Sequence, residues 1–151
     1  MIAFDIIIKA WPSTEWTNIL QFGYGSNNYQ YYYGNRAPMI SLNSKNKNIY
    51  IWNAFDGNAN FYKHYPVSLN QSYQIRIAQY PSNGMIQYLI EVNGYPFFMA
   101  ENKGAQSFRN IWVYASNPWD EALTSGYATV GNLRIFTDPK CKFSKYTFLS
   151  K

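Results

Sequence analysis

The chain has one cysteine, one histidine and eight carboxylates in 151 residues, and each scarcity excludes a chemistry. Cys141 alone allows no intrachain disulfide; Lys140 and Lys142 beside it favour the thiolate, but with the only histidine, His64, in an unrelated segment it reads as an inert thiol. One Cys and one His cannot supply the ligand set of a structural zinc site. A Ser-His-Asp centre would have to use His64, which reads as a solvated loop residue, and no Gly-x-Ser-x-Gly elbow accompanies it. Sugar hydrolysis needs two carboxylates facing each other across the scissile bond. The acids are Asp5, Glu15, Asp56, Glu91, Glu101, Asp120, Glu121 and Asp138, and the only adjacent pair, Asp120-Glu121, follows Trp119. Neighbours in sequence usually point apart, so a glycoside-active enzyme ranks a distant third among the readings below. No apolar run approaches the roughly 20 residues of a membrane span, and Met1 to Ile8, short and interrupted by Asp5, does not resemble a signal peptide.

Aromatic residues are what the chain has in excess: 15 Tyr, 10 Phe and 5 Trp. With 47% hydrophobic and 14% charged residues, it has the apolar area to offset chain entropy around a single core, which excludes disorder for most of its length. The 13 Lys and Arg exceed the acids, but most are scattered. The cluster Lys140, Lys142, Lys145 and Lys151 reads as a solvated tail, and no nucleic-acid partner is expected.

Period-2 alternation recurs from end to end, and no segment reads convincingly as a helix; only Asn117 to Thr124 could hold a helical turn. Ile2, Phe4, Ile6 and Ile8 form one apolar face. In Asn48 to Phe55, Ile49 and Ile51 oppose Tyr50 and Trp52, so both faces carry bulk and the strand should have neighbours on both sides. Ser72 to Gln79 and Met85 to Val92 alternate clearly. Further strands are expected at Thr17 to Phe22, Tyr29 to Tyr33, Pro38 to Asn43, Tyr95 to Ala100, Phe108 to Ala115, Ala128 to Thr137 and Lys142 to Leu149. Turn chemistry separates them at Gly23 to Asn28, Asp56-Gly57-Asn58, Pro81 to Gly84, Asn93-Gly94 and Ser116-Asn117-Pro118. Asn93-Gly94 is the strongest hairpin signal, the type expected to form a type I′ turn. Ten or more short strands imply an all-β fold, an antiparallel two-sheet β-sandwich or a barrel. One domain is expected, with its sandwich over 1–138 and a basic strand or tail of the same domain over 139–151.

The order of several segments resembles the concanavalin A-like jelly-roll superfamily, which includes laminin-G domains, pentraxins, legume lectins and galectins. Ile2-Ala3-Phe4-Asp5-Ile6 corresponds to an early inner strand, followed by Trp16 to Phe22, Met39 to Asn43 and Ser72 to Ile77. Tyr88 to Val92 then leads into Asn93-Gly94 and a strand with the aromatic pair Phe97-Phe98, and Gly131 to Ile135 is similar to the final strand of laminin-G-like domains. The resemblance implies a jelly-roll sandwich that recognises glycan or protein, with calcium possible at a loop rim. Galectins read galactose with a His-x-Asn-x-Arg strand and a Trp-Gly-x-Glu strand. The nearest segments here, Tyr33-Gly34-Asn35-Arg36 and Ile51-Trp52-Asn53-Ala54, lack the histidine and the glutamate, and the Glu-x-Asp-x-x-Glu strand of the superfamily's hydrolases is missing.

Stacking is the chemistry that the composition favours. A pyranose packs its C–H face on Trp or Tyr, while Asn, Asp and Arg bond its hydroxyls. The expected ligand contacts are Tyr32, Asn35, Arg36, Trp52, Asn53, Tyr114, Asn117, Trp119 and Asp120, on loops or a concave face. Alternation puts Trp112 and Tyr114 opposite Ile111 and Val113, lining either the interface between sheets or an open face. Calcium, if bound, would use Asp56 and Asn58, since it takes oxygen ligands. Asn70-Gln71-Ser72 is a glycosylation sequon that matters only in a secreted chain. The leading expectation is a non-catalytic glycan-binding module, excised from a larger extracellular or cell-surface protein with Met1 added. The alternative is a laminin-G-like adhesion domain with an extracellular protein partner.

Overall fold

The computed structural model describes residues 1–24, 33–116, 126–136 and the strand at 147–149. It is an all-β, jelly-roll-like sandwich of two sheets. In chain order the strands are β1 (Ile2–Ile8), β2 (Trp16–Gly23), β3 (Met39–Asn43), β4 (Asn48–Phe55), β5 (Asn58–Pro66), β6 (Ser72–Ser82), β7 (Met85–Val92), β8 (Tyr95–Glu101), β9 (Trp112–Ala115), β10 (Ala128–Ile135) and β11 (Thr147–Leu149). One sheet has five strands in the order β10-β1-β6-β7-β8, the other six in the order β11-β9-β2-β3-β4-β5. Neighbours run antiparallel, except that β11 lies parallel to β9. The chain changes sheets after β1, β5, β8, β9 and β10, so each sheet is assembled from distant segments. No helix among the described residues is long and apolar enough to cross a membrane.

Alternation explains the core. Phe4, Ile6 and Ile8 of β1, Tyr73, Ile75 and Ile77 of β6, and Tyr88, Ile90 and Val92 of β7 form the inner face of the five-stranded sheet. They meet Leu20, Phe22, Ile40, Leu42, Ile49, Ile51 and Val113 from the six-stranded sheet. Burying each such side chain contributes about 1.5–3 kcal/mol, and cutting fully buried Ile6 back to alanine would cost about 2–5 kcal/mol.

Three hairpins share one turn solution. Asp56-Gly57, Asn83-Gly84 and Asn93-Gly94 each join consecutive strands through two residues with positive φ: 49° and 80°, 51° and 77°, 54° and 80°. Paired positive values define the type I′ turn, whose twist matches that of the flanking strands, and Asx-Gly reaches it at the least steric cost.

Three expectations need correction. Residues 58–66, where no strand was expected, form β5, a full edge strand paired with β4. His64 is therefore a strand residue opposite Tyr50. The strand expected from Phe108 begins only at Trp112. β5 hides its alternation because a lysine, Lys63, occupies its inner row between Phe61 and Tyr65, while tyrosine and histidine occupy the outer row. The Lys63 ammonium lies 4.4 Å from the Phe98 ring centroid and 5.4 Å from that of Phe61, so its apolar stem can cover the sandwich edge.

Candidate functional site

Many of the aromatic residues pack in or against the core, and a further group lies on the outer face of the six-stranded sheet. Gln21, Met39, Trp52 and Tyr62 stand opposite one another across β2 to β5, and Asn18, Ser41, Tyr50 and His64 form the adjacent row. Directly opposed residues share a face and touch, so the register assembles a layer of rings. Tyr50 stacks on Trp52 with centroids 6.0 Å apart at 25°, and Tyr62 packs 4.6 Å from Trp52 and 5.4 Å from Tyr50. His64 lies 5.3 Å from Tyr50, and Trp16 meets Tyr50 edge-on at 4.7 Å.

The layer has a fixed floor and an open top. Tyr50 is buried and Trp52 half-buried, whereas Trp16, Tyr62 and His64 are exposed, the first two at 43% and 45%. Polar contacts hold the floor: Trp52 Nε1 donates to Ser41 Oγ at 2.8 Å, and Asn46 Nδ2 donates to the Tyr50 hydroxyl at 2.7 Å. Arg36 braces it from the side, with its guanidinium carbon 5.0 Å from the Trp52 ring centroid and Nη1 donating to Asn60 Oδ1 at 2.9 Å. Glu15 lies at one end of this face, where its Oε1 accepts a hydrogen bond from Asn43 Nδ2 at 3.3 Å.

A second aromatic pair occupies the other side of the same face. Tyr114 stands opposite Gln21 and Trp112 opposite Gly23, while Ile111 and Val113 are buried in the core. Of the two placements open in the sequence, the structure selects the outer face. Desolvation raises the Tyr114 hydroxyl pKa. The Tyr33–Arg36 segment lies across β2 between the two groups, where Gln21 Nε2 donates to the Asn35 carbonyl at 2.7 Å. Gly23 permits this approach, because a Cβ there would sit 2.5 Å from that carbonyl oxygen.

The expected ligand residues separate accordingly. Trp52, Arg36 and Tyr114 share the outer face. Asn35 and Arg36 are only 1% and 7% exposed, so they are structural parts of the face. Asn53 lies on the opposite side from Trp52, buried between the sheets, as alternation requires of a neighbour, and its Nδ2 donates to the Ala54 carbonyl at 3.1 Å. Tyr32, Asn117, Trp119 and Asp120 lie outside the described residues, as do the helical turn at 117–124, Cys141 and all of the strand expected at Tyr29 to Tyr33 except Tyr33, which lies in a turn.

For a cation, Asp56 and Asn58 flank a tight turn whose Asp56 N–H donates to Asn102 Oδ1 at 2.8 Å. Asn58 Oδ1 already accepts the Asn60 N–H at 2.8 Å, and no group of three His, Cys, Asp or Glu side chains gathers among the described residues.

Sequence reasoning missed Trp16, Tyr50, Tyr62 and His64 as members of a single surface. The available signal was only partial: Asp56-Gly57, read as a two-residue type I′ hairpin, pairs Phe55 with Asn58 and reveals the extra strand, but that register alone would set 61 opposite 52, and it is the β-bulge between Asn53 and Phe55 that shifts the pairing and brings 62 and 64 beside 52 and 50.

The fold and this surface define a class, a two-sheet β-sandwich with an aromatic layer on one open face. Compared with protein-family models, curated proteins and solved structures, the chain matches none.

Proposed function

We propose that this chain is a non-catalytic recognition module that binds glycan on the outer face of its six-stranded sheet. The observation carrying the reading is the contiguous layer of Trp16, Tyr50, Trp52, Tyr62 and His64, with its outer rings open to solvent. A sugar ring packs its C–H face on such rings, and the surrounding Asn60, His64 and Asn18 side chains provide groups for its hydroxyls. Because the rings stand on paired strands, little side-chain freedom is lost on binding.

Three acids support a non-catalytic reading, because they are engaged separately: Glu91 with Arg76, Asp5 with Asn132 and Glu15 with Asn43. Kinship with the concanavalin A-like superfamily and an extracellular setting belong to the same proposal. The sequon residue Asn70 is exposed, and so open to modification if the chain is secreted. The competing reading, an adhesion domain, draws on the five-stranded sheet, where Tyr95 and Met99 are 77% and 61% exposed.

A glycan array run with calcium and with chelator tests the proposal, using the native chain and a Trp16→Ala/Tyr62→Ala double variant. Binding to a defined sugar class that disappears in the variant supports it. Silence across the array, or binding indifferent to both rings, refutes it and favours a protein partner.

A further inference from the structure

The sandwich is open at one end. A cavity of about 370 Å³ lies where β2 and β4 finish and β7 begins, within the ~300–1,000 Å³ typical of small-molecule sites. Its wall is mainly apolar, including Phe22, Ile77 and Ile86, and Tyr80 and Phe136 add half-exposed aromatic surface. Among the described residues, no Asp, Glu, Lys, Arg or His side chain contributes to it. The charged group there belongs to Met1, whose N-terminal ammonium donates to the Phe136 carbonyl at 2.8 Å, so a cationic ligand would lose its hydration without a counter-charge.

The cavity does contain polar groups. Tyr88 and Asn53 both line it, and Asn53 is 5% exposed. The Tyr88 hydroxyl is wholly buried without a hydrogen-bond partner among the described residues, although the Asn53 side chain stands near it. Native proteins leave few buried hydroxyls unpaired, and each one favours a partner that can reach it. A ligand group seated against Tyr88 and Asn53 would satisfy a donor that water does not contact.

We propose that this cavity is a second binding site, for a neutral, largely apolar small molecule with one hydroxyl or carbonyl group anchored by Tyr88 and Asn53. It lies between the sheets, opposite the aromatic face, so it functions whether or not that face binds glycan.

Three probes built on one ring system test the proposal by isothermal titration calorimetry on the full chain: 2-naphthol, naphthalene and the 2-naphthylmethylammonium cation. The expected order is 2-naphthol tightest, naphthalene weaker by about tenfold and the ammonium without measurable binding, since one hydrogen bond is worth roughly a factor of ten. In Tyr88→Phe the advantage of 2-naphthol over naphthalene should shrink to within about threefold. In Ile86→Trp, which fills the cavity, both neutral probes should lose binding while far-UV circular dichroism stays native. If that variant does not fold, a crystal of the native chain soaked in 2-naphthol should show it against Tyr88. No binding of 2-naphthol, equal affinity for all three probes, a preference unchanged in Tyr88→Phe, or a soaked probe located elsewhere overturns the assignment.

Discussion

Arg36 holds Trp52 in place: its guanidinium carbon stands 5.0 Å from the Trp52 ring centroid while its Nη1 donates to Asn60 Oδ1 at 2.9 Å. A cation that is 7% exposed and stacked on an indole contributes at the upper end of such pairs, about 2 kcal/mol. Lysine would keep the charge and lose the planar stack. Arg36→Lys should therefore lower stability by about 1–2 kcal/mol in urea denaturation, with an unchanged slope. An unchanged midpoint would mean that the bracing is incidental.

Tyr62 and Tyr95 separate stacking from mere exposure. Tyr62 is 45% exposed but packed 4.6 Å from Trp52, whereas Tyr95 is 77% exposed on the other sheet. Removing Tyr62 should cost about tenfold or more in affinity for a glycan that binds, measured by calorimetry, with a small change in Tm. Tyr95→Ala should leave that affinity unaltered. Equal losses in both variants would move the binding surface off the six-stranded sheet.

How much is legible in the sequence depends on whether alternation and hydrophobicity agree. In β1, β6 and β7 they agree, and the inward rows from Phe4 to Ile8, Tyr73 to Ile77 and Tyr88 to Val92 can be read directly from the sequence. In β5 they conflict, because Lys63 faces the sandwich edge while Tyr62 and His64 face solvent. The aromatic face inherits that difficulty, since its members alternate with core residues on four strands and meet only through pairing. Trp52 is identifiable from its neighbours, but the same neighbourhood also suggests Asn53, which the pleat sends to the other side. Arg36 is recognisable as a polar contact, yet its brace depends on Asn60, 24 residues later, a contact no local pattern encodes.

Two glycines should behave differently when given a side chain. Gly94 has φ of 80° with nothing within 4 Å of where a methyl group would sit, so alanine there meets only backbone strain, about 1 kcal/mol. At Gly23 the methyl would sit 2.5 Å from the Asn35 carbonyl oxygen and push on the segment that carries Arg36. Gly23→Ala should cost about 1–3 kcal/mol and also weaken ligand binding at the aromatic face, while Gly94→Ala lowers Tm alone. Titrating both variants with one ligand decides the matter. If Gly23→Ala binds normally, the 33–36 segment does not position the face.

Tyr88 makes the fold sensitive to alkali. Burial holds its hydroxyl pKa well above the ordinary value of 10, an effect only partly offset by the nearby Asn53 side chain. The unfolded chain releases this proton near pH 10 while the folded chain retains it, so above that pH the unfolded state binds fewer protons. The corresponding stability is fully present below pH 10 and is lost as pH rises through the interval up to the folded pKa. The limiting slope is about 1.4 kcal/mol per pH unit for one such group. Tyr88→Phe removes this term and also an unpaired hydroxyl, so at pH 7 its stability should equal or exceed that of the native chain. Urea denaturation at pH 7, 10 and 11 should show the native chain weakening more steeply than the variant. Parallel loss in both, or a variant several kcal/mol weaker at pH 7, would mean that the hydroxyl has a partner whose loss the core cannot absorb.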